Sequence, residues 1–180
     1  SGALPEEELS VKIISSKKDY DNAVIEKIIQ KSPYRIKPLC PYFDKCGGCN
    51  LSFCDDEYQK RLRLEILHES FFRAFYQNNL EFTLSVDDIE YIGGSSYGYR
   101  NRFQFHDGTF LENKSNNKVI VKNCLIACDE INDFLSEQKP WEKSEFTGRI
   151  QVFGSNKLTE KKYLIAGNKF SENKDNRATV

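Results

Sequence analysis

Cys40, Cys46 and Cys49 fall within ten residues, with Gly47 and Gly48 between the last two, and no other feature limits this chain so strongly. Glycines accept the backbone angles of a tight loop, so neighbouring thiolates there can turn toward one centre. Three ligands leave a fourth to be supplied, and Cys54, Cys124 and Cys128 are the remaining cysteines. Cys46 and Cys49 also form half of a common zinc site, which Cys124 and Cys128 could complete. Spacing alone therefore leaves a 4Fe-4S cluster and zinc as alternatives. The five-residue gap between Cys40 and Cys46 is too long for the usual radical-enzyme pattern, and the ferredoxin run of closely spaced cysteines does not match either. Idle thiols seldom arrive as a triplet bracketing two glycines.

The cysteines also bear on compartment. Six in a small secreted chain would imply three disulfides, but no basic stretch followed by an apolar run opens the sequence, so a reducing, cytoplasmic setting is expected. No segment approaches the roughly 18 to 20 uninterrupted apolar residues that cross a bilayer, so no membrane partner is expected. A chain of 180 residues, 39% of them hydrophobic, can bury one sizeable core with a small satellite, but not two catalytic domains. Its 26 basic and 27 acidic residues nearly cancel, so a polyanion would have to be held by a local patch. A monomer is expected. The opening Ser1-Gly2-Ala3, without a start methionine, reads either as an added scar or as an internal cut, and the 180 residues hold no methionine.

Along the chain, Leu9, Val11 and Ile13 alternate, while Ala23 to Ile29 fits either a strand or a helical face. Pro33 and Pro38 mark residues 32 to 39 as an extended lead into the cysteine loop. Asp55 to about Asn78 is a helix: Tyr58, Leu62 and Ile66 recur at four-residue steps, as do Leu67, Phe71 and Phe75, and Asp55 with Asp56 supplies the cap and first-turn acid. Its other face carries Lys60, Arg61, Arg63 and Arg73, for which ordinary solvation is the plain reading. Tyr97, Tyr99, Phe103 and Phe105 alternate with Arg100, Arg102, Gln104 and His106 as a half-buried strand. Further strands are expected at Lys118 to Lys122, Phe146 to Phe153 and Tyr163 to Ala166, with a helix at Asp129 to Gln138. Residues 168 to 180 are polar and read as a severed linker.

Four separated motifs then carry a resemblance: the cysteine loop running on to Asn50-Leu51, the helix holding Tyr58-Gln59, the run Tyr97-Gly98-Tyr99-Arg100-Asn101-Arg102, and Asn123-Cys124. In order and spacing they resemble the RNA uracil-5 methyltransferases that carry a 4Fe-4S cluster. The resemblance implies Cys40, Cys46, Cys49 and Cys124 as cluster ligands, with Cys54 and Cys128 left over. It also implies three regions: residues 1–38 as the last part of a TRAM-like RNA-binding barrel, 39–167 as the cluster-bearing central domain, and 168–180 leading toward an absent catalytic domain. Residues 20 to 30 become strand on this view. The expected fold is α+β, an antiparallel sheet with the long helix packed on it, preceded by a partial β-barrel. The sequence departs from the family pattern at Asn50, at Phe53 and at Leu125 after the fourth cysteine.

The family methylates carbon 5 of uridine by adding a cysteine thiolate to carbon 6, then transferring methyl from S-adenosylmethionine and removing the carbon 5 proton. None of the ten glycines here forms a cofactor-binding fingerprint, so S-adenosylmethionine is expected only in the absent domain. Catalytic residues are expected to be absent with it. For RNA contact, whether ribosomal or transfer RNA, Arg100, Asn101 and Arg102 are the candidates, because guanidinium groups fork onto phosphates and stack on bases. Tyr99 or His106 could supply a stacking surface; His68 and His106 otherwise read as structural. The competing functions are a zinc-binding nucleic-acid or protein interaction module and a small electron carrier.

Overall fold

The computed structural model describes residues 2–155 and 162–167. The expected linker at 168–180 lies outside them. The described residues divide into two compact units: one holds those up to Leu39 together with Asn50–Ile92, the other Cys40–Cys49 together with the described residues from Gly93 onward. The architecture mixes helices with small antiparallel sheets, and no closed barrel is present among the described residues.

In the first unit, β1 (Glu8–Ser16) and β2 (Asp21–Gln30) form an antiparallel hairpin with three register shifts. Its apolar residues stay largely in solvent: Val11, Ile13, Val24 and Ile29 are all exposed. What fixes the unit is an ion pair no local pattern announces. Glu7 accepts from Arg35 Nε at 2.5 Å and Nη2 at 2.6 Å, and also from the backbone N–H groups of Leu4 and Ser32. The Arg35 guanidinium lies 4.5 Å over the Phe53 ring, beside fully buried Cys54.

The chain then enters α1 (Asp56–Gln77), capped by the Asp55 carboxylate accepting from Tyr58 N–H at 2.9 Å. The four-residue apolar spacing is there, yet Leu62 is the residue it buries, while Ile66, Leu67 and Phe71 remain exposed. Phe82 returns against the helix, meeting His68 and Phe75 with ring centroids 5.2 Å away in both cases. His68 Nε2 is satisfied by the Leu84 carbonyl at 2.8 Å.

The second unit holds the larger core. β3 (Arg102–His106), β6 (Arg149–Gly154) and β7 (Tyr163–Gly167) form an antiparallel sheet in the order β3-β6-β7. Strand alternation puts Phe103 and Phe105 inward and leaves Arg102, Gln104 and His106 on the other face. Within this unit the helix packed on the sheet is the short α2 (Asp129–Gln138). It buries Ile131, Phe134 and Leu135, each worth roughly 1.5–3 kcal/mol of transfer free energy. Phe134 is the hub, with centroids 5.5 Å from Phe105, 5.6 Å from Phe146 and 5.2 Å from Tyr163. A two-residue ribbon, β4 (Phe110–Leu111) with β5 (Lys118–Val119), completes the unit.

Three strands are shorter than their composition predicts, two of them for a visible reason. Residues 97 to 101 leave the sheet because they are strapped to another loop, described below, so Tyr97 and Tyr99 are exposed rather than packed. The strand expected from Phe146 begins at Arg149, because Ser144–Phe146 is a 3-10 turn and Gly148 sits at φ +90°. Only Lys118 and Val119 of the next candidate pair with a neighbour. Between β3 and β4, Gly108 (φ +69°) admits no other residue, since a Cβ there would stand 2.1 Å from the Pro140 carbonyl.

Candidate metal centre and nucleic-acid interface

The cysteine loop is held against the β4–β5 ribbon by its backbone. Gly47 N–H donates to Leu111 O at 3.0 Å, Asn113 N–H donates to Lys45 O at 3.1 Å, and Cys46 bridges Glu112. This close approach explains the first of the paired glycines. A Cβ on Gly47 would come 3.2 Å from the Asn113 Cα, too near for comfort, and one on Gly48 would meet Cys46 Sγ at 3.4 Å.

A second loop brings Cys124 to the same region. Asn132, on α2, clips that loop: its Oδ1 accepts from Cys124 N–H at 2.9 Å and its Nδ2 donates to the Cys124 carbonyl at 3.1 Å. The Tyr42 hydroxyl, from the cysteine loop, accepts from Lys122 N–H at 3.4 Å and so links the two loops. A third segment is strapped alongside. Gly98 N–H donates to Leu125 O at 3.0 Å, Arg100 N–H to Ile126 O at 2.8 Å, and Cys128 N–H to Arg100 O at 3.0 Å. Thus the Cys40–Cys49 loop, the Cys124 loop and the Arg100 segment, distant in sequence, share one neighbourhood.

The electrostatics link Cys46 and Cys124 to the same two neighbours, Cys40 and Cys49. Burial pushes the Cys46 thiol up, and the charges of Cys49 and Cys40 push the same way, while the Gly48 N–H and Arg100 oppose them. Burial likewise raises Cys124, against N–H donors from Ile126 and Ala127, with Cys49 and Cys40 again adding. For Cys54 and Cys128 burial is again the largest cause, followed by the Asp55 charge and by the Ile131 N–H and Glu130 respectively. Cys54 is sealed in the first unit, its thiol 3.5 Å from the Asp55 carbonyl. Cys128 serves as the N-cap position of α2 and packs so closely on β6 that a Cβ on Gly154 would meet its Sγ at 2.8 Å.

Backbone N–H groups aimed at Cys46 and Cys124 offset only part of the burial, and both thiols stay raised. Among the described residues, no three His, Cys, Asp or Glu side chains are grouped tightly enough to hold a single metal ion.

The three residues expected to meet RNA are all exposed and fall at the start of β3. The Arg100 guanidinium lies 4.8 Å over the Phe103 ring, and its Nε donates to Arg102 O at 3.2 Å. Asn101 enters through its carbonyl, which accepts from Gly154 N–H at 2.8 Å. Arg102 points across the sheet, donating to Gln151 Oε1 at 2.8 Å with its guanidinium 5.3 Å over Phe153. His106 Nε2 contacts the Gln104 amide nitrogen at 2.9 Å. Sequence reasoning missed Asn132 and Tyr42, the residues that position the loops. Asn123-Cys124 stood out only by its cysteine, and nothing marked an asparagine inside a helix as a clip.

No protein-family model matches the chain. Curated relatives do. A protein of Treponema denticola described as an uncharacterized RNA methyltransferase is 37% identical over 166 residues, covering 84% of this chain and 40% of the relative. One of Aquifex aeolicus with the same description is 33% identical over 74% of the chain and 31% of the relative. A 23S rRNA (uracil(1939)-C(5))-methyltransferase of Erwinia tasmaniensis is likewise 33% identical, over 74% of the chain and 31% of its own length. The homologues are thus RNA methyltransferases, and this chain spans 31 to 40% of the length of these relatives.

Proposed function

We propose, from that kinship, that this chain is the RNA-binding, 4Fe-4S-bearing part of an S-adenosylmethionine-dependent RNA uridine C5 methyltransferase, with Cys40, Cys46, Cys49 and Cys124 as cluster ligands. The observation that carries the reading is that the Cys40–Cys49 loop and the Cys124 loop are joined through the Tyr42 hydroxyl, and that Cys40 and Cys49 act on both Cys46 and Cys124. The Erwinia relative's named target tilts the substrate toward ribosomal rather than transfer RNA.

When bound, the cluster would supply four covalent ties between the 40–49 loop and Cys124, which lies 75 residues beyond Cys49. Methyl transfer to a uridine carbon needs no electron, so the proposed role is structural: the ties hold the Arg100 segment, strapped to the Cys124 loop, in one position. The methylation chemistry is proposed for the whole protein, and the present portion handles RNA. In the first unit the β1–β2 hairpin supports, as part of the same proposal, the end of a TRAM-like module.

The test is iron, acid-labile sulfide and zinc content with a visible spectrum, on protein purified without oxygen. About four irons and four sulfides per chain, with broad absorption near 400 nm, is the expected result. One zinc without sulfide would replace this reading with a zinc-binding interaction module.

A further inference from the structure

Between β3, the β4–β5 ribbon and the Gly47-Gly48 turn, the second unit carries an open cavity of about 480 Å³. That is within the roughly 300–1,000 Å³ of small-ligand sites. Its buried lining is aromatic, Phe103 and Phe110 meeting edge to face at 5.7 Å. Its more exposed lining is rich in amides: Gln104 on β3, with Asn113 and Asn116 on the ribbon's turn. The carboxylate there, Glu112, is already engaged by the Ser115 hydroxyl and the Asn117 amide, both at 2.8 Å, and this closes the turn that presents Asn113. Two exposed cations, Arg100 and Lys114, complete the site.

We infer that this cavity receives one unpaired base of the RNA, the ring against Phe103 and Phe110, its polar edge read by Gln104 and Asn113, and the flanking phosphates held by Arg100 and Lys114. The inference rests on the RNA-binding reading above. A groove for phosphate alone needs cations along its length, whereas amides outnumber cations here and the depth is apolar. Amides offer both donors and acceptors, as base edges do. The Gln104 amide nitrogen donates to His106 Nε2, and the amide oxygen carries no hydrogen bond among the described residues, so it is available to a ligand. One wall is the Gly47-Gly48 turn, so the shape of the base site depends on the cysteine loop.

The experiment measures binding of the iron-loaded chain, by fluorescence anisotropy, to oligouridylate, oligoadenylate and oligocytidylate and to an abasic oligonucleotide of equal length. Gln104→Ala is expected to weaken binding to at least one of the base-bearing strands by about tenfold and to leave abasic binding unchanged. Asn113→Ala, on an exposed turn, should do the same and serves if the β3 variant folds poorly; retained iron content reports folding for both. Arg100→Ala should weaken every strand. If both amide variants bind all strands as the unaltered protein does, or lose abasic binding equally, the base site is overturned while RNA binding stands. If the unaltered protein binds none of the strands, the RNA-binding reading falls and this site with it.

Discussion

At the scale of single residues, the cysteines make opposite predictions according to which set they join. Serine in place of Cys40, Cys46, Cys49 or Cys124 should abolish the visible absorption and iron content. Cys128→Ala should keep both, because its thiol faces Gly154. Cys54→Ala should also keep the iron while lowering stability by about 1 kcal/mol, the ordinary cost of a buried change. Iron retained in Cys124→Ser but lost in Cys128→Ser would exchange the two assignments. Asn132 offers a subtler case, since it touches no metal and holds the Cys124 loop from both sides. Asn132→Ala leaves those backbone groups short of partners, at about 1–3 kcal/mol if buried. The cluster should then form but surrender iron to a chelator faster than in the unaltered protein. Asn132→Asp keeps the acceptor for Cys124 N–H and should fall between the two.

Among elements, α1 separates what sequence periodicity can tell from what it cannot. Its start was legible because Asp55 is a cap with its own local hydrogen bond, and α2 was legible over its whole length. Burial was not, because a stripe states which residues share a face and not what covers it. Leu62→Ala should cost about 2–5 kcal/mol, whereas Phe71→Ser, on a side chain 48% exposed, should stay within about 0.5 kcal/mol in denaturant titrations. The β3 strand failed at its start for a related reason: Gly98 and Arg100 spend their backbone hydrogen bonds on the 124–128 loop, a partner no alternation pattern can name. The proposed ligand set likewise rests on resemblance and not on spacing. Least legible was the Glu7–Arg35 pair, joined across the whole β1–β2 hairpin. The Arg35 guanidinium beside Glu7 holds its carboxyl down from an ordinary 4.5 to about 2. A depressed folded-state pKa means the pair stabilises fully above about pH 4.5 and is lost as pH falls toward 2. Glu7→Gln should therefore cost about 3 kcal/mol at neutral pH, and its difference from the unaltered protein should vanish in acid unfolding near pH 2.

For the molecule as a whole, a net charge of −1 means that any RNA affinity is local, and the structure narrows where. The basic face of α1 is largely spent on its own helix: Lys60 pairs with Glu57 at 2.5 Å, and Arg61 with Glu65 and Arg73 with Glu69 at 2.7 Å each. Arg63 donates to the Tyr91 hydroxyl at 3.1 Å. In the second unit, Arg100, Arg102 and Lys114 have no carboxylate ion pair among the described residues. If these three hold phosphates, the affinity for single-stranded RNA should fall with salt at a log–log slope of about −2, since each neutralised phosphate contributes about −0.7. Arg100→Ala should bring the slope to about −1.4, while Arg61→Ala should leave it unchanged. A slope near −4 or steeper would require several further phosphate contacts, and a change on replacing Arg61 would locate one of them on α1. Binding with almost no salt dependence would instead remove these cations from the interface and leave the amide and aromatic contacts to carry the affinity.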